Sequence, residues 1–119
     1  MAKILLAEDD DTLRQFLEWE LGKAGHEVFA VRDGSEALPV LAEGRFDVLV
    51  ADIVMPEIDG IELARRAGAI DPGLRILFIT GFSAVALRSR GARLPEAKVL
   101  SKPFHLRVLV DEIDKLMAA

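Results

Sequence analysis

The sequence predicts an α/β protein: a doubly wound sheet of five parallel strands with helices on both faces. Three observations lead there. Short β-branched apolar runs alternate with helix-periodic stretches along the chain. Those runs lack the apolar–polar alternation of a sheet wetted on one side, so both faces need cover. At 119 residues, 51% of them hydrophobic, the chain can build one packed domain but not two.

The strands read as residues 3–7, 26–31, 47–51, 74–79 and 97–100. The first helix starts near Asp10 or Asp11, either of which can cap it, and Gly25 stops it. Its stripe of Leu13, Phe16, Leu17, Leu21 and Ala24 is expected on the sheet, leaving Trp19 outside it. Asp33-Gly-Ser-Glu36 resembles a capping box and opens the second helix, in which Pro39 predicts a break or kink. The third runs over 60–69 and ends before the turn Asp71-Pro72-Gly73. Between Phe82 and Pro95, Ser83, Ser89 and Gly91 lower helix propensity, predicting a weak fourth helix. Leu106, Leu109, Val110, Ile113, Leu116 and Met117 mark a last amphipathic helix, with no output domain expected beyond a single domain over 1–119.

Composition narrows the function. The net charge is −5 and the basic residues are scattered, which argues against a nucleic-acid surface. Without cysteine there is no disulfide, thiolate metal site or cysteine nucleophile. Apolar stretches such as 48–51 and 76–79 fall far short of the roughly 20 residues that span a bilayer. The start Met1-Ala2-Lys3 leads straight into a strand with no secretory leader, so a cytoplasmic protein is expected.

What remains is carboxylate chemistry. The first strand ends in Glu8-Asp9-Asp10 and the third in Asp52, at the strand ends where a doubly wound sheet binds ligands. Crowded carboxylates repel one another, so the cluster is expected to need a cation or else to protonate partly. Mg²⁺ suits a few carboxylates plus water, whereas Ca²⁺ wants more oxygens than these residues supply. Thr80 follows the fourth strand and Lys102 the fifth, adding a hydroxyl and an ammonium that would offset charge on a phosphoryl group taken up by Asp52. Taken singly, each has a plainer reading. Acids favour helix N-termini, a lysine is commonly solvated, and a threonine hydroxyl commonly satisfies backbone.

The motifs Ile4-Leu-Leu-Ala-Glu-Asp-Asp10, Asp52-Ile-Val-Met-Pro-Glu-Ile-Asp-Gly60, Thr80-Gly81 and Lys102-Pro103-Phe104 resemble the receiver domains of two-component response regulators, the CheY-like superfamily, across the entire chain. The resemblance implies a flavodoxin-like (βα)5 fold with strand order 2-1-3-4-5. It implies a phosphoacceptor at Asp52, with Thr80 and Lys102 on the phosphoryl group. Mg²⁺ would be held by Glu8, Asp9, Asp52 and the backbone carbonyl of Val54, and the Lys102–Pro103 bond would be cis. The donor would be a histidine kinase or histidine phosphotransfer protein. The runs Phe78-Ile-Thr-Gly-Phe82 and Val99-Leu-Ser-Lys-Pro-Phe-His-Leu106 are similar to those of alphaproteobacterial single-domain regulators. Those act, when unphosphorylated, as adaptors for an ATP-dependent protease. The implied partners are therefore that protease or its substrates, with neither nucleic acid nor membrane.

Val99 stands where many receivers carry an aromatic switch residue, and Pro39 is a second departure. Arg88, Arg90 and Arg93 read either as a solvated face or as a partner-facing patch, and Trp19 either as an isolated exposed residue or as an interface residue. His26 and His105 read as structural. Two other functions stay open: a Mg²⁺-dependent phosphatase with an aspartyl nucleophile, and a degenerate receiver that only binds proteins. A switch is expected to show weak self-dephosphorylation and no ordinary turnover.

Overall fold

The computed structural model describes residues 1–81 and 98–118. The elements are β1 (Lys3–Ala7), α1 (Asp11–Lys23), β2 (Glu27–Val31), α2 (Gly34–Glu43), β3 (Val48–Asp52), α3 (Gly60–Ile70), β4 (Arg75–Thr80), β5 (Lys98–Ser101) and a C-terminal helix (Leu106–Ala118). All strand pairs are parallel, in the order β2-β1-β3-β4-β5. The helix predicted between Phe82 and Pro95, with Arg88, Arg90 and Arg93, lies outside the described residues.

Pleating explains the layers. Alternate residues of a strand point to opposite faces, and both sets are apolar here. Ile4 and Leu6 of β1, with Val48 and Val50 of β3, join Leu17 and Leu21 of α1 and Leu109 and Ile113 of the C-terminal helix in one core. Leu5, Ala7, Leu49 and Ala51 join Ala37 and Leu41 of α2 and Leu63 and Ala67 of α3 in the other. Fully burying a leucine contributes roughly 1.5–3 kcal/mol, so each face has its own substantial stabilisation. At the far end of the sheet from the carboxylates, the Lys3 Nζ sits 5.3 Å from the Phe29 ring centre and 5.1 Å from that of Phe46.

Capping follows the sequence closely. The Asp10 Oδ1 accepts the Leu13 N–H at 3.0 Å, making Asp10 the α1 N-cap. Asp33 and Asp59 cap α2 and α3 in the same way, accepting from Glu36 and Glu62 at 3.0 and 2.8 Å. The α2 box is displaced by one residue, because the Glu36 carboxylate accepts the N–H of Arg32 at 2.7 Å.

Two expectations are corrected. The α2 helix runs unbroken through Pro39, so the predicted break does not form. The proline is the sixth of the ten helical residues, and the N–H it lacks would have served the carbonyl of Ser35, one turn back. Both residues are exposed, so water can meet that carbonyl. On α1 only Leu17 and Leu21 of the expected stripe are buried, while Phe16 is 51% exposed and Ala24 is also exposed. Phe16 lies about 100° around the helix from Leu17, at the margin of the buried face. Trp19 is exposed, as its position predicts.

One close approach determines where β3 ends. A Cβ at Gly60 would fall inside the carbonyl oxygen of Asp52, and the Gly60 N–H donates to the Ile53 carbonyl at 2.8 Å. Glycine is thus required where α3 abuts the strand. Gly68, exposed on the same helix, would meet nothing within 4 Å. Urea denaturation should show Gly60→Ala losing about 1–3 kcal/mol through overpacking. Gly68→Ala should gain about 0.5–1 kcal/mol from helix propensity, and equal effects at both positions would refute the close-packing account.

Candidate acidic phosphate and cation site

Strand register brings the acids together. Ala7 is paired with Ala51, so Glu8 and Asp9, just beyond β1, fall beside Asp52, the last residue of β3. Asp52 is paired with Ile79, which sets Thr80 at the end of β4, and Thr80 is paired with Ser101, one residue before Lys102. Thr80 is thus the final strand residue. Glu8, Asp52 and Thr80 are the buried polar residues of this rim.

The polar contacts are specific. The Lys102 Nζ donates to the Glu8 Oε1 at 2.7 Å and to the Asp52 Oδ2 at 2.8 Å. The other Asp52 oxygen accepts the Val54 N–H at 3.1 Å, bringing the Val54 backbone beside the carboxylate. The Glu8 Oε2 accepts the Asp10 N–H at 3.0 Å. One carboxylate oxygen each from Glu8, Asp9 and Asp52 lie within 4.8 Å of one another. Three carboxylates against one ammonium leave two negative charges, matching a divalent cation in charge and in hard-oxygen chemistry. The donor set therefore fits Mg²⁺.

The electrostatics record the crowding. Burial pushes the Glu8 carboxyl up to about 7 against the hydrogen bonds from Lys102 and Asp10, and the nearby Asp52 adds to the rise. Burial lowers Lys102, but its hydrogen bonds to Asp52 and Glu8 outweigh that and leave it raised. Lys102 is accordingly a fixed positive charge at neutral pH.

All the residues singled out as a site, Glu8, Asp9, Asp52, Val54, Thr80 and Lys102, thus gather at one edge of the sheet, and the Lys102–Pro103 bond is cis. Asp10 and Asp11 follow the plainer reading, as helix cap and first-turn acid. His26 is elsewhere, its Nδ1 accepting the Ala2 N–H at 2.9 Å, and the His105 carbonyl accepts the Val108 N–H at the start of the C-terminal helix. Sequence reasoning missed Arg14, whose Nη1 donates to the Glu8 carbonyl at 3.0 Å. A cation one turn into the helix that follows the acids was the available signal. It also missed a cavity of about 500 Å³ beside Lys102, walled by Leu13, Phe16, Phe104 and Leu106.

Residues 4–114 match the response regulator receiver domain family. The chain is 57% identical over 119 residues to the response regulator receiver protein CpdR of Brucella abortus, covering 100% of this chain and 99% of that protein. It is 40% identical over 110 residues to the regulator FleR of Pseudomonas aeruginosa, covering 92% of this chain but 23% of that longer protein. Among solved structures, TrrA from Thermotoga maritima in complex with Mg²⁺–BeF superposes with a TM-score of 0.82 at 30% identity, covering 98% of this chain and 99% of that one. With the fold, the acid cluster and these likenesses in agreement, the chain belongs to the response regulator receiver domain family.

Proposed function

We propose that this chain is a phosphorylation switch in which Asp52 takes a phosphoryl group from a phosphohistidine donor. The observation that carries the reading is the Lys102 ammonium held by both Glu8 and Asp52, with Asp9 in the same cluster. An Asp52 oxygen attacks phosphorus, the phosphorus–nitrogen bond of the donor breaks, and an acyl phosphate remains on the chain. Glu8, Asp9, Asp52 and the Val54 carbonyl would hold Mg²⁺, which supplies charge neutralisation at the phosphoryl oxygens. Lys102 releases one carboxylate partner and turns to the phosphoryl group, and the buried Thr80 hydroxyl gives it a second contact.

The donor is a histidine kinase or a histidine phosphotransfer protein, and the output is an altered protein-binding surface. The likeness to CpdR over nearly the whole of both chains supports a regulator that acts through its own surface. On the sequence resemblance, its downstream partner is an ATP-dependent protease or the substrates of one. Val99 packs partly buried against the core, so switching proceeds without an aromatic at that position.

Three tests follow. Mg²⁺ at about 100 times its Kd should stabilise the protein by about 2.7 kcal/mol. Asp9→Ala should abolish the rise in Tm, and a wild-type Tm indifferent to Mg²⁺ would remove the cation from the account. Incubation with acetyl phosphate should add one phosphoryl group to the intact mass of the wild type and none to Asp52→Ala; a phosphorylated variant would mean a different nucleophile.

The third test concerns pH in metal-free buffer containing EDTA. Glu8 titrates near 7 when folded and near 4.5 when unfolded, so between those values the folded chain keeps a proton that the unfolded chain has lost. Stability through this group therefore declines as pH rises from about 4.5 to about 7, by up to about 3 kcal/mol. Denaturation at pH 5 and pH 8 should show this loss in the wild type and a smaller one in Glu8→Gln. An unchanged difference between the two pH values would acquit Glu8.

A further inference from the structure

The Arg14 side chain is only 12% exposed, although it carries a full charge on the first turns of α1. Its two terminal nitrogens have different partners: Nη1 donates to the backbone carbonyl of Glu8 at 3.0 Å, and Nη2 pairs with the Asp11 Oδ1 at 2.7 Å. The Glu8 carbonyl belongs to the peptide plane that joins Glu8 to Asp9. On its other side, the Glu8 N–H is held by the Val31 carbonyl at 3.1 Å, and the Glu8 Oε2 by the Asp10 N–H at 3.0 Å. Arg14 is thus the side chain that clamps the peptide plane from which Asp9 departs. A peptide plane has two soft dihedrals flanking it, so anchoring its oxygen restricts the direction in which the next side chain leaves the backbone.

We propose that Arg14 is a positioning residue for the cation site, aligning Asp9 with Glu8 and Asp52 through the Glu8–Asp9 peptide. The inference rests on reading those three acids as the cation site. Two physical effects oppose each other here, and their signs differ. As a nearby positive charge, Arg14 repels a divalent cation, so on electrostatics alone its removal would tighten binding. As a clamp, it keeps the acids aligned before the cation arrives, so its removal would weaken binding; loss of such supporting contacts commonly costs 10- to 100-fold in metal affinity. A partly buried, fork-shaped donor engaged with backbone on one arm and a carboxylate on the other favours the clamp.

Calorimetric titration of the full chain with MgCl₂ separates the two. Arg14→Met, which keeps the apolar stem, should bind Mg²⁺ about tenfold more weakly despite the lost positive charge. Arg14→Lys keeps the charge but loses the planar two-pronged fork, so it should bind several-fold more weakly and keeps the test decisive if Arg14→Met does not fold. A merely structural role would lower Tm in EDTA and leave Mg²⁺ affinity unchanged. Acetyl phosphate labelling of the weak-binding variants should recover at saturating Mg²⁺. Affinity equal to or tighter than wild type in either variant overturns the proposal. Absence of Mg²⁺ binding to the wild type would instead overturn the reading of the acids on which the proposal rests.

Discussion

The structure turns on placing three carboxylates within 4.8 Å of one another at the edge of a buried sheet. Like charges at that spacing are unfavourable in a medium less polar than water, and burial first, with the charge of Asp52 adding to it, raises the affinity of Glu8 for a proton. Lys102 relieves part of the repulsion by lying between Glu8 and Asp52, reaching across from the chain beyond the opposite edge strand. Neither ion pair is evidence of net stability, because desolvating buried charges costs about as much as their attraction returns. Their value is in orienting the Glu8 and Asp52 side chains inside a rigid frame.

That frame follows from register. Parallel pairing brings the ends of β1, β3 and β4 to the same edge, and side chains at these ends inherit the precision of the hydrogen-bonded ladder. The contact of α3 with β3 at Gly60 then turns the chain immediately after Asp52. A side chain at the end of a strand is better fixed than one on a loop, and the loop residue Glu8 is tied back by hydrogen bonds to Val31, Lys102 and Arg14.

Much of this was legible before any coordinates. Unbroken apolar runs announce a sheet covered on both faces, and capping aspartates at 10 and 33 mark helix starts with their own chemistry. Acids, a hydroxyl and an ammonium at successive strand ends announce the site. What stayed hidden depends on geometry that spacing does not encode. Phe16 fits the helical period, yet it sits at the margin of the face that the neighbouring C-terminal helix leaves room to bury. Pro39 looks like a breaker, yet the helix continues through it, with Pro39 and Ser35 both exposed. Arg14 is signalled only as a cation one turn into the helix after the acids, and spacing does not say that its partner is the Glu8 backbone carbonyl.

The separation of the apolar interior into two cores carries a consequence for how such a molecule diversifies. Among the described residues, the α1 and C-terminal helix layer and the α2 and α3 layer pack on opposite faces of the sheet, each against its own set of alternating strand residues. Volume changes on one side are absorbed against that side's helices, so lineages can remodel one outer layer for a new acquaintance while the other drifts separately. The strand termini, common to both halves, would feel a change made on either side.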